Sequence, residues 1–340
     1  MTTTTEPASD RELDPDLLRR MYELMVRARR LDESMVTWQR QGLIPAYPPS
    51  RGQEAAQVGS AMALDRERDF VFPSYRELGV AVAWGVDLAA YLSTHQALWH
   101  GGLWDSAASR FAPLQAVVGG SVLHAVGWAH GRRLDGSDNV AIVYFGDGAS
   151  SQGDVHEAMN FAAIFRAPTI FFVQNNRWAL SVPLEREVAG GSVAARAAGY
   201  GIPGAQIDGD DPIAVYLATR DAVERARVDG TPTVIEAMTY RRGPHATSDD
   251  PGRYRTLEDE RTAGPDPIDR FRDVLRARDV EPAWFDEVER VIAADLELLR
   301  EALERPQVVA GADMFEYVFV EPTPQVLAQR ANWRKESEHV

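Results

Sequence analysis

Residues 141–176 read AIVYFGDGASSQGDVHEAMNFAAIFRAPTIFFVQNN. An apolar run from Val140 to Phe145 ends in a glycine-flanked turn, a helical pattern follows from about Val155 to Phe165, and a second apolar run spans Thr169 to Gln174. Short continuous apolar runs joined through a helix are what neighbouring buried strands of a parallel sheet require. The alternation continues with Ala205 to Asp208, a helix over Pro212 to Val228 and a strand over Thr233 to Thr239. Strands about 30 residues apart with helices between them predict an α/β fold with a doubly wound, mostly parallel sheet flanked by helices.

Upstream, Leu17, Met21, Leu24, Met25, Ala28, Leu31, Met35 and Trp38 recur at helical steps, which predicts a long N-terminal helix from Asp16 to Gln41 ended by Gly42 and Pro45. A second helical pattern covers Gln53 to Leu64, and DFVFPSYRELGVAVAWG (69–85) reads as an extended run leading into a helix. Residues 99–113 carry no period and read as a loop, and a helix is expected from about Ser121 to Arg132. Residues 1–15 are expected as a disordered tail, 16–330 as a single domain with a helical C-terminal region at about 265–305, and 331–340 as a second tail.

Composition narrows the function classes. With 36 basic and 51 acidic residues the net charge is −15, which disfavours nucleic acid or an anionic membrane as partner. With no cysteine there is no disulfide, thiolate metal site or cysteine nucleophile. No apolar stretch approaches the ~20 residues a membrane helix needs, no export signal opens the chain, and the cysteine-free composition suits the cytoplasm.

Two clusters carry the chemistry. Gly146, Asp147, Gly148 and Ala149 follow one apolar run, and Asn175 and Asn176 follow the next, with 26 residues (149–174) between Gly148 and Asn175. Each alone is an ordinary turn or strand-end cap. Together, at the carboxyl ends of strands one crossover apart, they bring Asp147 and Asn176 to one point where ligands of open α/β sheets bind. A carboxylate and an amide oxygen are hard ligands suited to Mg²⁺, and the glycines let backbone amides approach a phosphate. No Gly-x-Gly-x-x-Gly fingerprint follows a strand, so a dinucleotide-binding dehydrogenase is disfavoured. Of the other histidines, His95, His100, His124, His130, His156 and His339, none has a second metal ligand at convincing spacing.

The GDG and NN pair resembles the diphosphate-binding motif of thiamine-diphosphate enzymes. The whole stretch from GDGASSQGD to NNRWALS is similar to the alpha subunit of the decarboxylating component of 2-oxo acid dehydrogenase complexes, of the branched-chain type and close to the pyruvate type. The resemblance covers roughly Leu17 to Phe319. It implies thiamine diphosphate and Mg²⁺ as cofactors, with Asp147, the Asn176 side chain and the Trp178 backbone carbonyl on the metal. Gly146, Gly148, Ala149, Tyr75, Arg76, Asn176 and Gln174 would face the diphosphate, and Val118 the aminopyrimidine ring. His245, in GPHATSDD, corresponds to a histidine beside the cofactor that handles the intermediate; its imidazole is expected to titrate near neutrality. The resemblance further implies a beta subunit that completes the site in an α2β2 heterotetramer, a lipoyl domain as acyl acceptor and a small 2-oxo acid as substrate, branched-chain preferred, with pyruvate or acetoin as alternatives and a non-catalytic scaffold as a distant one.

The chain departs from that family in two places. QAVVGGS (115–121) lacks the Thr-Gln oxygens of a potassium site, and Ala246 stands where animal relatives carry a phosphorylated serine. Phosphorylation at 246 is excluded, while Ser248 remains available.

Overall fold

The computed structural model describes residues 13–97, 102, 104–305, 311–316 and 318–337. Its contacts divide the chain into two compact units, Met1–Leu303 and Glu304–Val340. Most of the expected N-terminal tail, part of the 99–113 loop, His100 and His339 lie outside the described residues.

The first unit begins with α1 (Pro15–Arg40), where the Asp14 carboxylate accepts from the Asp16 amide and Pro15 occupies the first turn. Then follow α2 (Glu54–Ala61), β1 (Phe70–Phe72), α3 (Leu78–Trp84), α4 (Leu88–Ser93), α5 (Ser106–Ser109) and α6 (Gly120–Leu134). Strand β2 (Ala141–Gly146) leads through α7 (Gly153–Phe165) to β3 (Thr169–Asn175). A hairpin of β4 (Trp178–Ala179) and β5 (Val182–Pro183) precedes β6 (Gly204–Asp208), α8 (Pro212–Asp229), β7 (Thr233–Met238), α9 (Leu257–Arg261), α10 (Pro267–Arg276) and α11 (Pro282–Glu304). Within the aperiodic 99–113 stretch, α5 is a single turn capped by Asp105, whose carboxylate accepts from Ala107 and Ala108.

The main sheet has the order β1-β2-β3-β7-β6, and every neighbouring pair is parallel. Every residue of β3 and the first five of β2 are buried, so alternate side chains serve opposite layers. Ile142, Tyr144, Ile170 and Phe172 pack in a core with α1, α2, α3 and α8. Ala141, Val143, Phe145, Phe171 and Val173 pack with α6 and α7. The segments leaving β2 and β3 run to the second layer, while α8 and α10 belong to the first. Between the adjacent strands β3 and β7 the connections therefore part to opposite faces, and a crevice opens at their carboxyl ends.

In the second unit α12 (Pro324–Ser337) takes in residues 331–337, which the sequence suggested were tail. Pro324 stands at the helix start, where a missing amide donor costs nothing, so proline there marks a beginning and not an interruption. Among the described residues no helix is long and apolar enough to cross a membrane.

Two buried carboxylates pin the first layer. Glu54 accepts from Arg29 Nε at 2.6 Å while Arg29 also grips Asp266, tying α1, α2 and α10 together. Asp32 Oδ1 accepts from Tyr47 Oη at 2.7 Å, from the Ser50 amide at 2.6 Å and from Ser50 Oγ at 3.0 Å. Burial pushes Asp32 up to about 6, against those hydrogen bonds. Its folded value thus lies above its ordinary 3.8, so the stabilisation of the protonated form is complete below about pH 4 and is lost as pH rises through about 6. Asp32→Asn keeps an acceptor but cannot ionise. Relative to that variant, the wild-type chain is expected to lose on the order of 1–3 kcal/mol between about pH 4 and 6, read from urea midpoints at each pH.

Candidate active site

At the carboxyl edge of the sheet lies a cavity of about 380 Å³. All eleven residues singled out from sequence, Tyr75, Arg76, Val118, Gly146, Asp147, Gly148, Ala149, Gln174, Asn176, Trp178 and His245, line it. They arrive from the ends of β1, β2, β3 and β7 and from the loop before α6.

Asp147 is buried, and among the described residues its Oδ2 has no hydrogen-bond partner. Burial pushes its carboxyl up to about 6, against the Arg241 charge and the amides of Gly148 and Asn176. An unpartnered buried carboxylate oxygen is costly unless something binds it. Asn176 Oδ1 accepts from the Trp178 amide at 3.3 Å, and the Trp178 carbonyl accepts from Arg241 Nη1 at 3.0 Å with a second lone pair to spare. Arg177 (φ 69°) and Leu180 (φ 54°) both adopt the left-handed region, a local strain that folds the hairpin back over the turn after β2. Gly148 is glycine for lack of room: a Cβ there would sit 2.9 Å from Ala179 Cβ and 3.0 Å from Glu187 Oε1. Among the described residues no three Asp, Glu or His side chains gather to hold a metal by themselves. A cation at Asp147 would draw on amide, carbonyl and ligand oxygens, the donor set of Mg²⁺ bound to a phosphate.

Arg76 is buried and among the described residues makes no ion pair, which removes the ordinary reading of a surface salt bridge. Its Nη1 donates to the Pro49 carbonyl, and its Nη2 lies 3.0 Å from the His245 carbonyl and 3.2 Å from His245 Nδ1. The Tyr75 ring meets the His245 ring edge to face at 6.1 Å. Burial, together with the charges of Arg76 and Arg241, pushes His245 down to about 4, with Asp249 opposing. The expectation of titration near neutrality is thereby corrected: the imidazole is neutral at neutral pH. With Nδ1 facing a guanidinium, which can only donate, the proton belongs on Nε2.

Gln174 lines the cavity, but its amide is engaged: Nε2 donates to Glu77 at 2.6 Å and Oε1 accepts from Gln57 at 2.7 Å. Glu77, fully buried, also accepts from Ser74 and from the Arg76 amide, and so shapes the turn that presents Tyr75 and Arg76. Arg241 links the two loops, donating to the Trp178 and Leu180 carbonyls and to Tyr254 Oη. Tyr254 and the His245 amide both donate to Asp249. Sequence reasoning missed Gln57, Glu77, Glu187 and Arg241. Of these only Arg241 carried a signal, since it too follows a strand end.

The remaining described histidines do other work. His95 is packed against Tyr47, His130 stacks on Phe165, His156 bonds Tyr200 Oη, and His124 is exposed.

The chain is an α/β protein whose strand-end cavity gathers an unpartnered carboxylate, an adjacent amide and a buried arginine. The chain belongs to the Dehydrogenase E1 component family, whose model matches residues 22–304; the family comprises thiamine-diphosphate-dependent oxidoreductases. It is 44% identical over 342 aligned residues to the 3-methyl-2-oxobutanoate dehydrogenase subunit alpha of Mycobacterium tuberculosis, covering 98% of this chain and 91% of the relative. It is 40% identical to the pyruvate dehydrogenase E1 component subunit alpha of Bacillus cereus, over 96% and 88%. To the 2-oxoisovalerate dehydrogenase subunit alpha of Bacillus subtilis it is 39% identical, over 80% and 87%.

Removing the Arg76 charge should release His245. Arg76→Gln is expected to raise the imidazole toward its ordinary 6.5, because the lost cation no longer opposes protonation. Selective histidine labelling and an NMR titration of the cofactor-free chain would read it, and an unmoved His245 resonance would refute the assigned cause.

Proposed function

We propose that this chain is the alpha subunit of a branched-chain 2-oxo acid dehydrogenase, which decarboxylates a 2-oxo acid and passes the acyl group to a lipoyl group. The observation that carries the reading is the buried, unpartnered Asp147 oxygen in one cavity with Asn176, Tyr75, Arg76 and His245. The 44% identity to a 3-methyl-2-oxobutanoate dehydrogenase subunit supports the branched-chain substrate.

Asp147, the Asn176 side chain and the Trp178 carbonyl hold Mg²⁺, and Arg241 fixes the orientation of that carbonyl. The amides of Gly148 and Ala149, with Tyr75 and Arg76, receive the diphosphate, and Gly146 leaves its approach open. Gln174 acts on the site through Glu77. Val118 lines the cavity, as do Val117 and Leu180, and would contact the aminopyrimidine ring. Thiamine diphosphate, when bound, supplies the carbon that adds to the 2-keto group and the ring that takes up electrons as CO₂ leaves. His245, neutral and carrying its proton on Nε2, donates a hydrogen bond toward the reacting oxygen. Arg76, Arg241 and Asp249 hold it there.

The carboxylates that line the cavity are Glu77, enclosed by its four donor groups, and Asp147 and Glu187 beside the glycine turn. On this reading the group that activates the aminopyrimidine is none of these three. That group comes from a beta subunit, in an α2β2 assembly that serves the lipoyl domain of an acyltransferase.

With the beta subunit present, Asp147→Ala is expected to weaken Mg²⁺-dependent thiamine diphosphate binding by about 100-fold or more. In a ferricyanide-linked assay the wild-type pair should prefer 3-methyl-2-oxobutanoate, and the chain without its partner should not turn over. A clear pyruvate preference would instead assign the pyruvate branch of the family, and turnover by the lone chain would overturn the split site.

A further inference from the structure

Glu187 stands just after the β4–β5 hairpin and is absent from the cofactor set above. Its backbone amide bonds the Leu184 carbonyl at 3.0 Å, which turns the side chain back toward the Gly-Asp-Gly turn. There its Oε1 occupies the space beside Gly148 that a Cβ would need. Its Oε2 is buried with no hydrogen-bond partner among the described residues, and the residue lines the cavity. The cation whose charge acts on it, Arg196, is committed to Ser150 through Nη1, at 2.8 Å to the carbonyl and 3.1 Å to Oγ. Asp147 and Glu187 thus set two carboxylates with unpartnered buried oxygens around a single glycine. Burial and the Asp147 charge both act against ionised Glu187.

Two carboxylates with unpartnered oxygens are a poor wall for a diphosphate and a good one for a divalent cation. Resting on the cofactor assignment above, we propose that Glu187 is a second anionic group of the cation site and makes cofactor binding depend on the divalent ion. When the cation is present, Glu187 adds to the negative charge that retains it. When it is absent, the same charge repels the diphosphate. The result is a thermodynamic coupling between the two ligands, in which each raises the affinity of the other.

The test uses the chain assembled with its beta subunit at mildly alkaline pH, where Glu187 is ionised. Thiamine diphosphate binding is followed by calorimetry or by quenching of tryptophan fluorescence, with Mg²⁺ and with a chelator. For Glu187→Gln, which keeps size and shape, the ratio of the metal-free to the Mg²⁺-loaded dissociation constant is expected to fall about tenfold, with metal-free binding tightened. Glu187→Asp, which keeps the charge, should retain most of the wild-type ratio. A ratio that stays within about threefold of wild type in Glu187→Gln, including the case where both constants worsen together as for a merely structural residue, would overturn the proposal. Asp147→Ala separates the two ideas: if it leaves Mg²⁺-dependent binding intact, the cofactor assignment itself fails, whereas if it abolishes that binding while Glu187→Gln changes nothing, only the role of Glu187 fails.

Discussion

Everything at the cavity depends on the parallel register of β2 against β3, in which Ala141 faces Thr169 and Gly146 faces Gln174. That register brings Asp147 out of the sheet level with Asn175, and so places it one residue short of Asn176 on the neighbouring strand end. A slip of one residue would turn each side chain to the opposite face, sending Asp147 into a hydrophobic layer. The register is held by burial on both faces: Ile142 and Phe172 belong to one core, Val143 and Phe171 to the other. The hydrophobic packing of the sheet interior therefore specifies the position of a polar group at its edge.

The polar groups at that edge are organised in two tiers that differ in what satisfies them. Glu77, Gln57 and Gln174 saturate one another within the protein and give the 74–77 turn a single shape. Asp147 and Glu187 keep buried oxygens without partners. A half-satisfied polar cluster is unfavourable in an empty protein, and its cost is recovered when a ligand supplies the missing partners. The saturated tier is thus a scaffold, and the unsatisfied tier is where ligand binding energy enters.

The sequence carried Asp147, Asn176 and Arg76 more clearly than it carried the saturated tier or Glu187, and there is a physical reason. Asp147 and Asn176 stand at the ends of apolar runs and Arg76 in the turn just beyond Phe72, so strand-end logic locates them without any knowledge of contacts. Gln57 and Gln174 are 117 residues apart, and Gln174 meets Glu77 across 97. No local period or spacing announces such pairings. The protonation state of His245 was hidden for the same reason, because it follows from Arg76 and Arg241, which only the folded chain brings against the ring. Residues 331–337, expected as tail, belong to α12, whose first turn opens on Pro324.

The charge around His245 also explains why its loop is built as it is. Two guanidinium groups, Arg76 and Arg241, face a neutral imidazole, and such a cluster would repel itself apart without a compensating anion. Asp249 supplies one: against its partial burial, bonds from Tyr254 and from the His245 amide hold its carboxyl below the usual range, so it stays ionised. Its charge reaches both arginines through Tyr254 and the loop backbone without a direct ion pair to either. The arginines therefore remain strong donors, one to the carbonyls of Trp178 and Leu180 and the other to those of Pro49 and His245. By binding carbonyls from both sides of the crevice, they make the β4–β5 hairpin and the histidine loop parts of one electrostatic unit.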